Sequence, residues 1–199
     1  MWLGKRAFDF IFALIGLILL SPLFLIVSIW IKSTSKGTVF FNQKRVGLHE
    51  KPFYIHKFRT MSTNAEAQGP QLTVANDPRI NKCGHFLRKY KLDELPQLIN
   101  VLFGEMSLVG PRPEVPKYIE AYDQNTRLKI FSVKPGITDW ASIKFKNENE
   151  ILNNSTDPEQ TYIQKILPVK LSFSTAYIDK ASISEDFKII FFTLFEIFK

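Results

Sequence analysis

FIFALIGLILLSPLFLIVSIWI, residues 10–31, runs for twenty-two residues without a charge. A bilayer-crossing helix needs ~20 apolar residues, so the stretch is long enough for one crossing. Its middle, however, is Ser21-Pro22. Proline in a helix interior removes a backbone hydrogen bond and costs ~3 kcal/mol, and serine followed by proline is a common helix start. The expectation is therefore helix, break, helix: two arms of about eleven residues, each about 16 Å at ~1.5 Å per residue, or half the ~30 Å hydrocarbon core. Lys5 and Arg6 precede the stretch, and Lys32 and Lys36 follow it. Cationic flanks mark the cytoplasmic side, and here both ends carry them. On these residues alone two topologies stand level: a hairpin that enters and leaves by one face, and a single-pass helix with a tolerated proline kink.

The 199 residues allow one anchor and one globular domain. The boundaries read as 1–36 for the lead-in and hairpin and 37–199 for the catalytic domain. With 26 basic and 19 acidic residues the chain carries +7. Beside a membrane segment, that excess points to anionic headgroups and phosphorylated ligands more than to nucleic acid, since no basic strands interleaved with aromatics accompany it. The 18 phenylalanines suit a chain partly seated in lipid. Cys83 stands alone, so no internal disulfide forms, as in a reducing compartment. The apolar run exceeds the 7–15 residues of a signal-peptide core and no small-x-small site follows it, which reads as an uncleaved anchor.

Asp9 sits where it can pair with Arg6. Runs at 39–45 and 53–59 read as short extended segments around a turn at 47–52. Residues 62–79, with Gly69-Pro70 and Asp77-Pro78, read as loop. Helical patterns cover 80–90, 97–103 (stopped by Gly104) and 114–131, and Pro158 can open another helix. Residues 147–157 are polar and read as loop at their end. The apolar tail, 186–199, suits a helix lying in the membrane interface, with a core helix as the alternative. The overall class is α+β and helix-rich.

Asp93-Glu94 stands immediately before the helix that Pro96 opens. A helix N-terminus favours negative charge, and an ionised carboxylate can serve as nucleophile or metal ligand. The plain alternative is that Asp and Glu are good first-turn residues. Lys57, Arg59, Arg88, Lys91 and Arg112 are candidate anion binders. The three histidines share no ligand spacing with Cys83 or one another, and no GxGxxG or P-loop lysine motif occurs. A Mg²⁺ held by one or two carboxylates and substrate phosphates is compatible with Asp93.

KFRTM at 57–61, FLRK at 86–89, LDELPQLINVL at 92–102, MSLVGPRP at 106–113 and PGIT at 135–138 together resemble the bacterial sugar transferase family, the small monotopic phosphoglycosyl transferases. The likeness covers nearly the whole chain. It implies transfer of a sugar 1-phosphate from a UDP-sugar to polyprenyl (undecaprenyl) phosphate with release of UMP. It also implies ping-pong kinetics through a phosphosugar on an aspartate, and a need for Mg²⁺. The family's dyad maps onto Asp93 and Glu94, with Asp93 as nucleophile and metal ligand. Arg88, Gly110, Pro111, Arg112, Lys57, Arg59 and Lys146 then fall to phosphate and nucleotide binding. The resemblance favours the re-entrant anchor broken at Ser21-Pro22. It places the domain and both termini on the cytoplasmic face of a bacterial inner membrane, with membrane lipids and later glycosyltransferases as partners. The chain departs from the family pattern at Asp139, where many members have glycine, and at Lys146, where they have arginine. Lysine is not an equivalent bidentate phosphate binder. Two rivals remain: a non-catalytic membrane-anchored binder of polyprenyl phosphate or nucleotide sugar, and a single-pass scaffold docked on anionic lipid.

Overall fold

A computed structural model describes residues 2–63, 65, 72–73 and 77–198. Most of the loop expected over 62–79, Gly69-Pro70 included, lies outside the described residues, as do Lys199 and the side chain of Phe198. The architecture is helix-rich α+β, built around one long N-terminal helix.

That helix, α1 (Lys5–Thr34), contains Pro22 in its interior. The expected break does not interrupt it. Pro22 has no N–H to give the carbonyl of Ile18, one turn back, but the Ser21 hydroxyl donates to that same oxygen at 2.8 Å. The serine thus supplies locally the donor that the proline removes, and the ladder loses less than a bare proline would cost. The helix is long and apolar enough to cross a membrane by length and composition. Its mid-helix side chains are open, with Leu19 72% exposed. An apolar surface of this extent marks a lipid or partner contact.

Both ends of α1 rest on the rest of the chain. Near its start, Ala13 packs with Phe53 and Ile55 of β2 (Pro52–Phe58) and with Leu98 and Val101 of α3 (Gln97–Phe103). Near its end, Val27 and Ile31 pack with Phe58 and with Cys83 and Leu87 of α2 (Lys82–Lys89). Asp9 does not pair with Arg6. Arg6 donates to the carbonyls of Val101 and Leu102 at the C-terminal end of α3, where such carbonyls lack helical partners. Asp9 instead takes the Lys5 ammonium at 3.2 Å and the Leu108 N–H at 3.1 Å. Lys5 also reaches Asp186, at 2.7 Å, and Asp186 accepts from Tyr177 and Trp2. This buried network fastens the first turn of α1 to α10 (Ile183–Phe198), the helix of the tail.

β1 (Phe40–Val46) pairs antiparallel with β2, from Phe40 opposite Phe58 to Val46 opposite Pro52. Alternation along β2 buries Phe53 and Ile55 and leaves Tyr54 out, the period-two pattern of a half-covered strand. β3 (Ser107–Val109) and β4 (Gly136–Thr138) form a second, parallel pair. Gly110 and Gly136 lie so close that a Cβ on Gly136 would stand 2.1 Å from the Gly110 nitrogen. Gly136→Ala must push β3 from β4, and overpacking of this kind costs about 1–3 kcal/mol. A melting scan should show a fall of about 2–4 °C per kcal/mol; an unchanged Tm would contradict the close pairing.

The helix expected over 114–131 is two. Residues 112–115 form no helix, because Pro113 and Pro116 each disfavour helix at the residue before them. Val115 accordingly has ψ 148°. α4 (Pro116–Ile119) then ends, and Asp123 caps α5 (Gln124–Ile130) by accepting the Thr126 N–H. β4 is followed by α6 (Trp140–Lys144), by α7 (Glu148–Asn153) in the polar stretch whose end, 154–157, stays non-helical, and by α8 (Pro158–Thr161), which Pro158 opens. A π turn over Tyr162–Ile166 leads into α9 (Leu167–Lys180). On α10, Asp186 and Ile189 are buried while Phe187, Phe191, Phe192, Leu194 and Phe195 are exposed. Phe187 meets Phe8 and Phe12 of α1 edge-on, so the apolar faces of the two helices adjoin.

Candidate functional site

Asp93 and Glu94 occupy a 3-10 turn, Leu92–Glu94, between α2 and α3. The turn is entered through Lys91, whose φ of 54° is left-handed. That conformation costs a non-glycine residue roughly 1–2 kcal/mol, and such strain gathers at functional sites. The turn faces a cleft of about 1470 Å³.

The two adjacent carboxylates have opposite surroundings. Glu94 is locked. Arg112 grips it with two nitrogens, at 2.5 and 3.0 Å, and Lys57 reaches it at 2.8 Å. Burial alone would raise its pKa, but the charges of Arg112 and then Lys57 outweigh burial and hold it well below the ordinary carboxylate range. Asp93 is buried, and its Oδ1 has no hydrogen-bond partner among the described residues. Burial, then the neighbouring Glu94 charge, raises its pKa, with Lys57, Arg88 and Lys91 pulling the other way. The helix N-terminus does not keep Asp93 in the ordinary range, because desolvation of a buried carboxylate outweighs a partial charge that fades within one turn.

Arg88, on the last turn of α2, has its Nε on the Thr60 hydroxyl at 2.8 Å and lines the cleft. Lys57, Arg88, Asp93, Glu94 and Arg112 are therefore brought together. Arg59 is not free for an anion. Its guanidinium donates to the carbonyls of Thr38, Lys36 and Ser35, at 2.6, 2.7 and 3.1 Å, and clasps the chain where α1 ends. Gly110 and Pro111 also serve the frame. Gly110 N–H donates to Thr138 and Pro111 accepts from Gly136, which fixes the turn that presents Arg112. Lys146 forms an ion pair with Glu196 of α10 at the cleft wall. Asp139 caps α6, accepting the Ser142 N–H and hydroxyl at 2.7 Å each, and receives the Ser174 hydroxyl of α9 at 3.2 Å.

The sequence reading missed Arg45, Glu114 and Tyr162, all lining the same cleft. Gln43 and Arg45 share one face of β1 by the period-two rule, the one signal that pointed there. The same cleft is also lined by apolar side chains: Phe12 and Ile15 from α1, and Ile190, Leu194 and Ile197 from α10. Among the described residues no three histidine, cysteine or acidic side chains gather as a metal cluster. The unpartnered Asp93 Oδ1 still fits a hard cation that takes one protein carboxylate and fills its shell from phosphates and water.

The model of the family described as bacterial sugar transferase matches residues 1–199. The UDP-glucose:undecaprenyl-phosphate glucose-1-phosphate transferase of Escherichia coli (strain K12) is 38% identical over 96% of this chain and 39% of its own length. The UDP-N-acetylgalactosamine-undecaprenyl-phosphate N-acetylgalactosaminephosphotransferase of Aeromonas hydrophila is 36% identical over 96% of the chain and 42% of its own. The exopolysaccharide production protein ExoY of Sinorhizobium fredii is 34% identical over 96% and 84%. The chain thus spans about two fifths of the first two relatives.

Proposed function

Because this chain belongs to the bacterial sugar transferase family, we propose that it transfers a sugar 1-phosphate from a UDP-sugar to a polyprenyl phosphate in two steps through Asp93. The single observation that carries this reading is the division of labour in the dyad. Glu94 is tied to two cations, whereas Asp93, which lines the cleft, has a carboxylate oxygen without a partner. In the first step an Asp93 oxygen attacks the sugar-bearing phosphorus. An aspartyl O–P bond forms, the bond to UMP breaks, and UMP carries away the electron pair. In the second step a phosphate oxygen of the acceptor attacks the same phosphorus and Asp93 leaves as carboxylate. A carboxylate nucleophile divides one hard transfer into two easier ones. Arg88, Lys57 and Arg112 neutralise charge on the phosphoryl oxygens.

Asp93 is also the residue that would hold Mg²⁺, which when bound supplies further charge neutralisation at the diphosphate. EDTA should stop UMP release and added Mg²⁺ restore it; undiminished turnover in excess EDTA would remove the metal.

The anchor is read as re-entrant, α1 staying one helix that bends at Pro22 rather than breaking there, with the domain on one cytoplasmic face and α10 in the interface. Support comes from α1 touching the same body near both ends, from cations at both flanks, and from the adjoining open faces of α1 and α10. The apolar side chains that line the same cleft as Asp93 would then receive a prenyl chain without lifting it into water. Cysteines placed at residues 3 and 36 should label from the same side of sealed vesicles; labelling from opposite sides would restore the single-pass reading. The reaction itself is tested by incubating the purified chain with undecaprenyl phosphate and a panel of UDP-sugars. UMP from at least one sugar is expected, and no UMP from any would overturn the proposal.

A further inference from the structure

We propose that Arg45 and Glu114, with Tyr162 behind them, form the subsite that reads the hydroxyls of the donor sugar, an inference that rests on the transferase reading above. Glu114 is buried, and its Oε1 accepts the Tyr162 hydroxyl at 2.5 Å. Its Oε2 lies 3.9 Å from Arg45 Nη1, too far for a hydrogen bond, and accepts none from the described residues. Arg45 gives Nη1 to the Pro113 carbonyl and Nη2 to Gln43, but its Nε is buried without a partner. Glu114, in the cleft lining, therefore keeps an unfilled acceptor beside the Arg45 guanidinium, whose own Nε is buried behind it. A sugar ring hydroxyl that donates to Glu114 Oε2, next to the Arg45 charge, matches what is missing.

The position fits the sugar rather than the nucleotide. Arg112 and Glu114 stand two residues apart in the non-helical stretch 112–115, and both line the cleft. A phosphate at Arg112 thus has its next substituent beside Glu114. In a double displacement at one phosphorus, the leaving UMP and the entering acceptor use the same in-line position opposite the nucleophile. The acceptor's tail needs the apolar wall of α1 and α10, so nucleotide and tail share that approach. The sugar, which departs from phosphorus in another direction, is left to the polar wall.

The test uses the full chain in lipid nanodiscs with undecaprenyl phosphate and UDP-glucose, UDP-galactose and their N-acetylamino counterparts, comparing wild type with Glu114→Gln and Arg45→Lys. Each variant should lower the kcat/KM ratio between the best donor and its C4 epimer at least tenfold, since a site built to bond a hydroxyl discriminates through it. Inhibition by UMP should stay within twofold of wild type. A ratio preserved within twofold would overturn the proposal. So would a UMP inhibition constant that rises in step with the donor KM, which would give the cluster to the nucleotide. Loss of folding in both variants would assign the cluster to the core and overturn it as well. A wild type silent with every donor sinks the transferase reading itself, a separate outcome.

Discussion

Asp93→Asn is expected to abolish UMP release, by about 10⁴-fold or more, in a protein at least as stable as wild type. The two effects share one cause. Asp93 is buried with an unpartnered oxygen, and desolvation, then Glu94, raises its pKa. A carboxyl with a folded pKa above its unfolded value is favoured by folding when protonated. That advantage is complete at low pH and fades as pH rises from the unfolded value, ~3.9, through the folded one. At neutral pH the ionised side chain therefore subtracts from stability, and neutral asparagine relieves the cost. Tm should hold or rise, by about 2–4 °C per kcal/mol recovered. A clear fall in Tm with the loss of activity would make Asp93 a structural residue. The same shift fixes the pH profile of the wild type. Attack needs the carboxylate, so kcat/KM should decline on acidification with its midpoint above the ordinary aspartate value.

Arg112→Ala should remove activity and stability together. Its guanidinium holds Glu94 with two bonds, and truncation leaves a buried carboxylate to Lys57 alone. Breaking one side of a buried pair costs about 3–5 kcal/mol. Loss of a preorganised donor at a developing charge costs roughly 10²–10³ in rate. The stability effect is pH-dependent with the opposite sign to Asp93. Glu94's folded pKa lies below its unfolded value, so its contribution is full above ~4.3 and disappears as pH falls through the lowered value. The Tm gap between wild type and variant should therefore be wide at pH 7 and narrow on acidification. A gap that does not change with pH would remove the ion pair from the explanation.

Adjacency made the dyad and its arginines legible. Asp93-Glu94 precede a proline-opened helix, Arg88 lies five residues earlier, and Arg112 sits in a rigid proline turn. What the sequence left hidden depends on where chain ends and turns meet in space. Lys57 and Arg59 are indistinguishable on one strand face, yet one reaches Glu94 and the other is absorbed by carbonyls after α1. Glu114 falls in a pattern that reads as helical; the flanking prolines delay the helix to Pro116 and leave Glu114 outside it, in the cleft lining. Ser21-Pro22 was read as a stop because proline removes a donor, but the hydroxyl beside it restores one. Asp139 departs from the family pattern and takes a post as a helix cap bonded to Ser174.

The central claim is that the carboxylate of Asp93 carries the sugar phosphate between donor and acceptor. Mass spectrometry of the enzyme incubated with its UDP-sugar and no acceptor tests it most directly. One equivalent of UMP is expected, with a sugar-phosphate adduct on the peptide containing Asp93 that is discharged when undecaprenyl phosphate is added. UMP formed only in the presence of acceptor, with that peptide never modified, would contradict it.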